Sequence, residues 1–168
     1  MPRWYTLNEA EGDVVWAAAT RHVHVVELAA PPAAVWSALT ANDALVSWSP
    51  LITCVEWSTP RPFGVGTIRE VTLGPGLVSL RERFYRWEEG KRMTFSVDAA
   101  TRPLFTMFGE DLRLDETFDG TRLTWTFAYT GAPAVRPALK LGAPLTGRLM
   151  GGIANGIRKV VEPKGVDR

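Results

Sequence analysis

Along most of this chain apolar and polar residues alternate in short runs, each closed by a cluster of glycine, proline or charged residues. "RHVHVVEL" (21–28) is a loose example, rich in β-branched side chains, and predicts a strand. Further runs predict strands at about 51–58, 65–73, 77–87, 91–99, 109–117 and 121–130. The separators "TPRPFGVG", "GPG", "EEGK" and "DG" are turn chemistry, in which glycine supplies a positive φ and proline a fixed one. In "LRLDETFDGTRLTWTFAY" the alternation continues on both sides of Asp119 and Gly120, a strong hairpin signal. Seven strands joined mostly by such turns predict a largely antiparallel sheet.

The period changes in two places. After the first strand comes "APPAAVW" (30–36), where Pro31 and Pro32 cannot donate to a ladder and so end the strand. Their fixed φ suits a first helical turn, and Val35, Trp36 and Leu39 share a face at helical spacing, which predicts a short helix over 32–40. A second short helix, "NDALVSW", is predicted from the candidate cap Asn42. From Pro133 to about Glu162 the chain reads as helix again, with Leu145, Leu149, Ile153 and Ile157 recurring every four residues. Pro137 and Pro144 divide it into a short lead-in and a main helix of about 17 residues. That helix carries Gly147, Gly151, Gly152 and Gly156, which together cost about 3 to 4 kcal/mol against alanine. Close helix-to-sheet approach, pocket volume or a loose helix would offset this.

Residues 1–20 show no period, and "EAEGDVVWAAAT" reads as a short helix or an arm packed on the body. The expected layout is an arm (1–20), one domain (21–162) and a tail (163–168). A sheet with one apolar face must bury it, and the long C-terminal helix is the available partner. A curved sheet wrapped around one helix leaves a concave, mostly apolar pocket between them.

Composition narrows the function. At 168 residues and 46% hydrophobic, the chain can bury a sizeable core as one domain. Nineteen basic against 18 acidic residues give no overall field that would point to nucleic acid. The charge is uneven, however: residues 135–168 hold seven basic side chains against Glu162 and Asp167. Such an excess could touch an anionic membrane, although a solvated helix face is the commoner meaning. Cys54 stands alone, which excludes an intrachain disulfide and a cysteine-based zinc site. "MPRWYTLNEAEGD" lacks the marks of a signal peptide and no run is long enough for a membrane span, so the cytoplasm is the default location.

No familiar catalytic signature is present, and "PFGVGTI" lacks the third glycine of a nucleotide loop. The candidate chemistry lies in polar groups on apolar strand faces. Glu82 is in phase with Val78, Leu80 and Phe84, and Glu110 with Leu112 and Leu114. A carboxylate there needs an arginine partner or takes up a proton. Arg69 is a candidate counter-ion, although its parity opposes Glu70; exposed cross-strand ion pairs are the alternative for all these residues. His24, with His22 on the same face as Val26 and Leu28, is a candidate proton-transfer group, with a solvated position near the strand start as the alternative. Trp48, Phe105, Phe108, Trp125, Phe127 and Tyr129 are candidates to contact a flat or greasy ligand, Tyr129 with its hydroxyl as polar handle. Leu149 and Ile153 would face them from the helix. Most of the aromatics are expected to be plain core.

The element order, with "ELAAPPAAVW", "SWSPLI", "GVGTIREV", "RERFYRWEEGKRMTFSV" and "DGTRLTWTFAY", resembles the SRPBCC or START-like superfamily, in particular its polyketide cyclase/dehydrase branch. The resemblance runs from about residue 22 to residue 161. It implies an α+β helix-grip fold: a seven-stranded curved antiparallel sheet around a long C-terminal helix, with two short helices after the first long strand. It implies no metal and no cofactor, since oxygenase relatives need iron ligands and this chain offers His22 and His24 alone. It leaves activity open, because this fold hosts carriers, receptors and enzymes. Three functions are therefore expected in order: a binder of a small hydrophobic molecule (lipid, polyketide or aromatic), a cyclase/dehydratase-type enzyme using Glu82, Glu110, His24 or Tyr129, and a protein-interaction module. Ligand identity, oligomeric state and catalysis stay open.

Overall fold

Alternation of the predicted kind produces a strongly curled sheet in the computed structural model, which describes residues 2–10, 12 and 17–162. A two-residue strand, β1 (Tyr5–Thr6), precedes β2 (Thr20–Leu28), helix α1 (Pro32–Leu39), β3 (Ile52–Trp57), β4 (Ile68–Leu73) and β5 (Val78–Glu88). Then follow β6 (Arg92–Ala100), β7 (Phe105–Thr117), β8 (Gly120–Gly131) and the helices α2 (Arg136–Leu141), α3 (Ala143–Gly156) and α4 (Arg158–Val161). The strand order is β2-β8-β7-β6-β5-β4-β3, every pair antiparallel. The first long strand therefore pairs with the last, as one edge of the sheet. Register shifts in β3, β5 and β7 mark bulges, which bend strands and let the sheet wrap.

The hairpin at Asp119-Gly120 forms as its sequence predicts, with Thr117 paired to Gly120. Gly120 has φ +149, and a Cβ there would collide with the carbonyl oxygen of Leu28. At the first corner Pro31 caps α1 in an extended conformation and Pro32 opens the helix, which buries Val35, Trp36 and Leu39.

Two expectations change. The second short helix is a chain of hydrogen-bonded turns over residues 42–48, because Leu45 takes φ +71, which no α-helix accommodates. The long helix spans 143–161 but breaks after Gly156. There Trp48 Nε1 donates to the Ile153 carbonyl at 3.0 Å, and Ile157 N–H bonds Asn155 O instead. The helix stripe is also graded: Leu145 is 62% and Leu149 48% exposed, whereas Ile153 and Ile157 are buried.

The expectation for "EAEGDVVWAAAT" rests on residues 11 and 13–16, which lie outside the described residues, as does the tail 163–168. What precedes it is an arm sewn into the sheet. The β6–β7 pairing runs from Arg92 opposite Arg113 to Ser96 opposite Gly109, and beyond it the arm takes over. Tyr5 and Thr6 pair with Ala100 and Ala99, Leu7 N bonds Asp98 O, and Asn8 N bonds Thr106 O. The arm thus satisfies backbone groups that the splayed strands would leave open.

Candidate ligand cavity

The concave face of the sheet is divided by what fills it. Toward the α1 end, aromatic rings close the space: Trp57 stacks on Phe63 and Phe84, and Trp87 meets Trp36, Phe63 and Phe84 edge-on. Toward the other end a cavity of about 250 Å³ remains between the sheet and α2–α3. Val71, Leu80 and Phe108 form part of its sheet side, Leu45 joins from the turns before β3, and Leu139, Leu149, Met150 and Ile153 form its helical roof.

Two carboxyl groups interrupt this apolar lining, Glu82 and Glu110. Glu82 stands opposite Arg69 in the β4–β5 register, so the cross-strand neighbour, and not a residue on its own strand, supplies the counter-ion. Arg69 Nε and Nη2 both donate to Glu82 Oε2, at 2.8 and 2.5 Å, and each side chain is 4% exposed. The guanidinium also lies over Trp57, Phe84 and Phe95, 5.0 to 5.4 Å from their ring centroids. Burial pushes the Glu82 carboxyl upward while the charge and hydrogen bonds of Arg69 hold it down. Arg69 is permanently protonated and buried, so Glu82 carries the compensating charge.

Glu110 is differently placed. Trp125 Nε1 donates to its Oε2 at 2.7 Å, and no hydrogen bond from the described residues reaches Oε1. Burial, then the negative charge of Glu82, push its carboxyl up to about 8, against the indole bond and the more distant Arg69. At neutral pH it holds its proton, and the pair bears one negative charge between them.

The remaining candidates separate into wall and backing. Phe105, Phe108, Trp125, Phe127, Leu149 and Ile153 line the cavity. Arg69 does not: it stands behind Glu82. Trp48 is not at the mouth but is clamped beneath α3 through Ile153 O. Tyr129 is buried among Phe105, Phe108 and His22, its hydroxyl 3.5 Å from His22 Nε2 and turned away from the cavity. His22 and His24 are on the concave face, half-buried under α3 in an open groove beside the cavity. Gly147 and Gly151 make room for them, since a Cβ at either would come within 2.9 Å of an imidazole. Burial lowers the pKa of both rings, and for His24 the charge of His22 adds to the effect. His24 meets Phe127 edge-on at 5.9 Å, one ring behind the cavity wall.

Leu45, Leu139, Met150 and the polar Thr146 are among the cavity residues that sequence reasoning missed. Leu45 and Met150 lie off the stripes that the periods pick out, and Leu139 belongs to the short lead-in. Among the described residues no group of three or more metal-binding side chains converges, and no helix is long and apolar enough to cross a membrane.

The architecture matches proteins of known structure. A START superfamily protein from Mycobacterium smegmatis superposes with a TM-score of 0.68 at 18% identity, over 84% of this chain and 97% of that one. A Streptomyces aromatase/cyclase gives 0.64 at 15% identity, over 88% and 99%. In sequence, an uncharacterized protein of Mycobacterium tuberculosis is 38% identical over 122 residues, 73% of this chain and 72% of its own. The profile of the family described as polyketide cyclase / dehydrase and lipid transport matches residues 19–162, from the start of β2 to the end of α4, and the chain belongs to that family.

Proposed function

We propose that this protein binds a small hydrophobic molecule, of lipid or polyketide-like character, in the cavity between the sheet and α2–α3. The observation that carries this reading is the lining: a cavity of about 250 Å³ that is apolar apart from Glu82, Glu110 and Thr146. Such a space loses dispersion contacts while empty, and an apolar guest restores them. The exposed Leu145 and the half-exposed Leu149 on the outer part of α3 fit a roof that parts to admit the guest. A second reading, acid catalysis of the cyclase/dehydratase type, has one observation in its favour: Glu110 is a protonated acid in the cavity wall. Among the described residues no free base stands beside it, because Glu82 is engaged by Arg69 and His24 lies behind Phe127.

The test is native mass spectrometry of the protein from its own host, with organic extraction, alongside fluorescence titration with the neutral probe N-phenyl-1-naphthylamine. A bound apolar molecule and saturable probe binding are expected. Met150→Trp, which fills the cavity from α3, should abolish probe binding while the protein stays folded. An empty protein that also ignores the probe sinks the proposal.

A further inference from the structure

Three features outside the binding reading stand out: the groove over His22 and His24, the exposed leucines and basic residues of α2–α3, and the unequal carboxyl pair at the cavity. The third reaches furthest, and it rests on the ligand-binding reading above. We infer that the cavity selects uncharged ligands carrying a hydrogen-bond acceptor such as a ketone or ester carbonyl, that this oxygen is taken by the Glu110 carboxyl, and that free carboxylic acids are rejected.

Arg69 is the positive charge nearest the carboxyl pair, and it spends Nε and Nη2 on Glu82 while aromatic rings cover its face. It does not reach the cavity surface, so a ligand carboxylate would find no counter-ion there. It would instead meet the charge on Glu82, and an unpaired buried anion is strongly disfavoured. The other nearby basic residues, Arg136, Lys140 and Arg148, are exposed on α2 and α3 and contribute nothing to the lining.

The Glu110 carboxyl has one oxygen engaged by Trp125 and one without a partner among the described residues. While protonated, it offers an O–H to the cavity. From α3 come Thr146 and apolar side chains but no charge, and β8 presents Trp125 and Phe127, so among the described lining residues the one ionisable group besides Glu110 is Glu82, which Arg69 already holds. A buried donor that gains an acceptor is worth more than any equal area of apolar contact, because the alternative is to remain unsatisfied. An acceptor oxygen on an apolar body fits; a second anion does not.

The experiment is competition against N-phenyl-1-naphthylamine by three guests of matched length: 2-undecanone, undecane and decanoate, at pH 7. The ketone is expected to bind about tenfold tighter than the alkane, and the acid more weakly than either. Glu110→Leu should erase the advantage of the ketone over the alkane, whereas Glu110→Gln, whose amide N–H₂ still donates, should keep most of it. Decanoate binding as well as the ketone overturns the inference, and so does an undiminished ketone advantage in Glu110→Leu. If the probe itself binds nowhere in the wild-type protein, it is the ligand-binding reading that fails.

Discussion

Arg69 and Glu82 show how a pair of residues on neighbouring strands settles the electrostatics of a core. Their sequence signal was partly readable: the period of two put Glu82 on an apolar face and demanded a partner. The partner's identity needed the β4–β5 register, which places Arg69 opposite Glu82 and pairs Glu70 with Arg81 outside, at 2.9 Å. Replacing Arg69 by Met leaves a buried carboxylate alone and should cost about 3 to 5 kcal/mol in denaturant unfolding, while Arg69→Met with Glu82→Leu should recover most of the loss. Glu110 makes a second prediction. Its folded pKa of about 8 lies above the ordinary 4.5, so the folded chain keeps a proton that the unfolded chain releases. This group therefore leaves stability intact below pH 4.5 and lowers it as pH rises toward 8, by up to about 1.4 kcal/mol per pH unit at the steepest. Glu110→Gln should flatten the unfolding free energy across that interval, with Arg69 and Glu82 unchanged as its charged neighbours. His24 illustrates the opposite case: parity grouped it with Val26 and Leu28 but left the direction of that face open, and no pattern in β2 could tell that α3 would lie over it.

Among the elements, α3 gives its sequence away least. Its four glycines were legible as a cost, with close approach among the returns that could offset it, and the structure gives close approach at three of them and not at Gly152. Gly147 and Gly151 admit the histidine rings of β2, Gly156 admits Trp48, and Gly152 faces nothing within 4 Å. Gly152→Ala should therefore stabilise the protein by about 0.5 to 1 kcal/mol through helix propensity alone. Gly156→Ala, whose Cβ would sit 2.7 Å from Trp48 Cδ1 and 3.0 Å from its carbonyl oxygen, should destabilise by about 1 to 3 kcal/mol. Thermal melts of the two variants side by side decide the matter, and equal shifts would show that propensity, not fit, governs this helix. The short helix expected at "NDALVSW" failed for a tertiary reason. A helical 42–48 would follow local propensity, but Leu45 instead turns with a positive φ and joins the cavity wall.

At the scale of the molecule, the strand count, the antiparallel plan and the long last helix were all legible, since each depends on a period that the chain repeats. The division of the concave face into a plugged and an open half was not, because it depends on which rings meet across strands distant in sequence. Trp36 comes from α1, Trp57 from β3 and Trp87 from β5. Trp87→Ala should thus loosen the plugged half, costing about 3 to 5 kcal/mol by urea unfolding, without touching the cavity wall. The pairing of β2 with β8 has a consequence for how the molecule comes into being. β2 hydrogen-bonds to β8 along its whole length, from Thr20 opposite Tyr129 to Leu28 opposite Thr121, and the Ala29 N–H reaches Glu162 just past α4. A ribosome emitting this chain releases β2 well before β8, with Val23 and Val25 facing outward from a strand whose partner is still to come. The interval before β8 emerges is when the nascent chain is most exposed to chaperones and to other nascent chains.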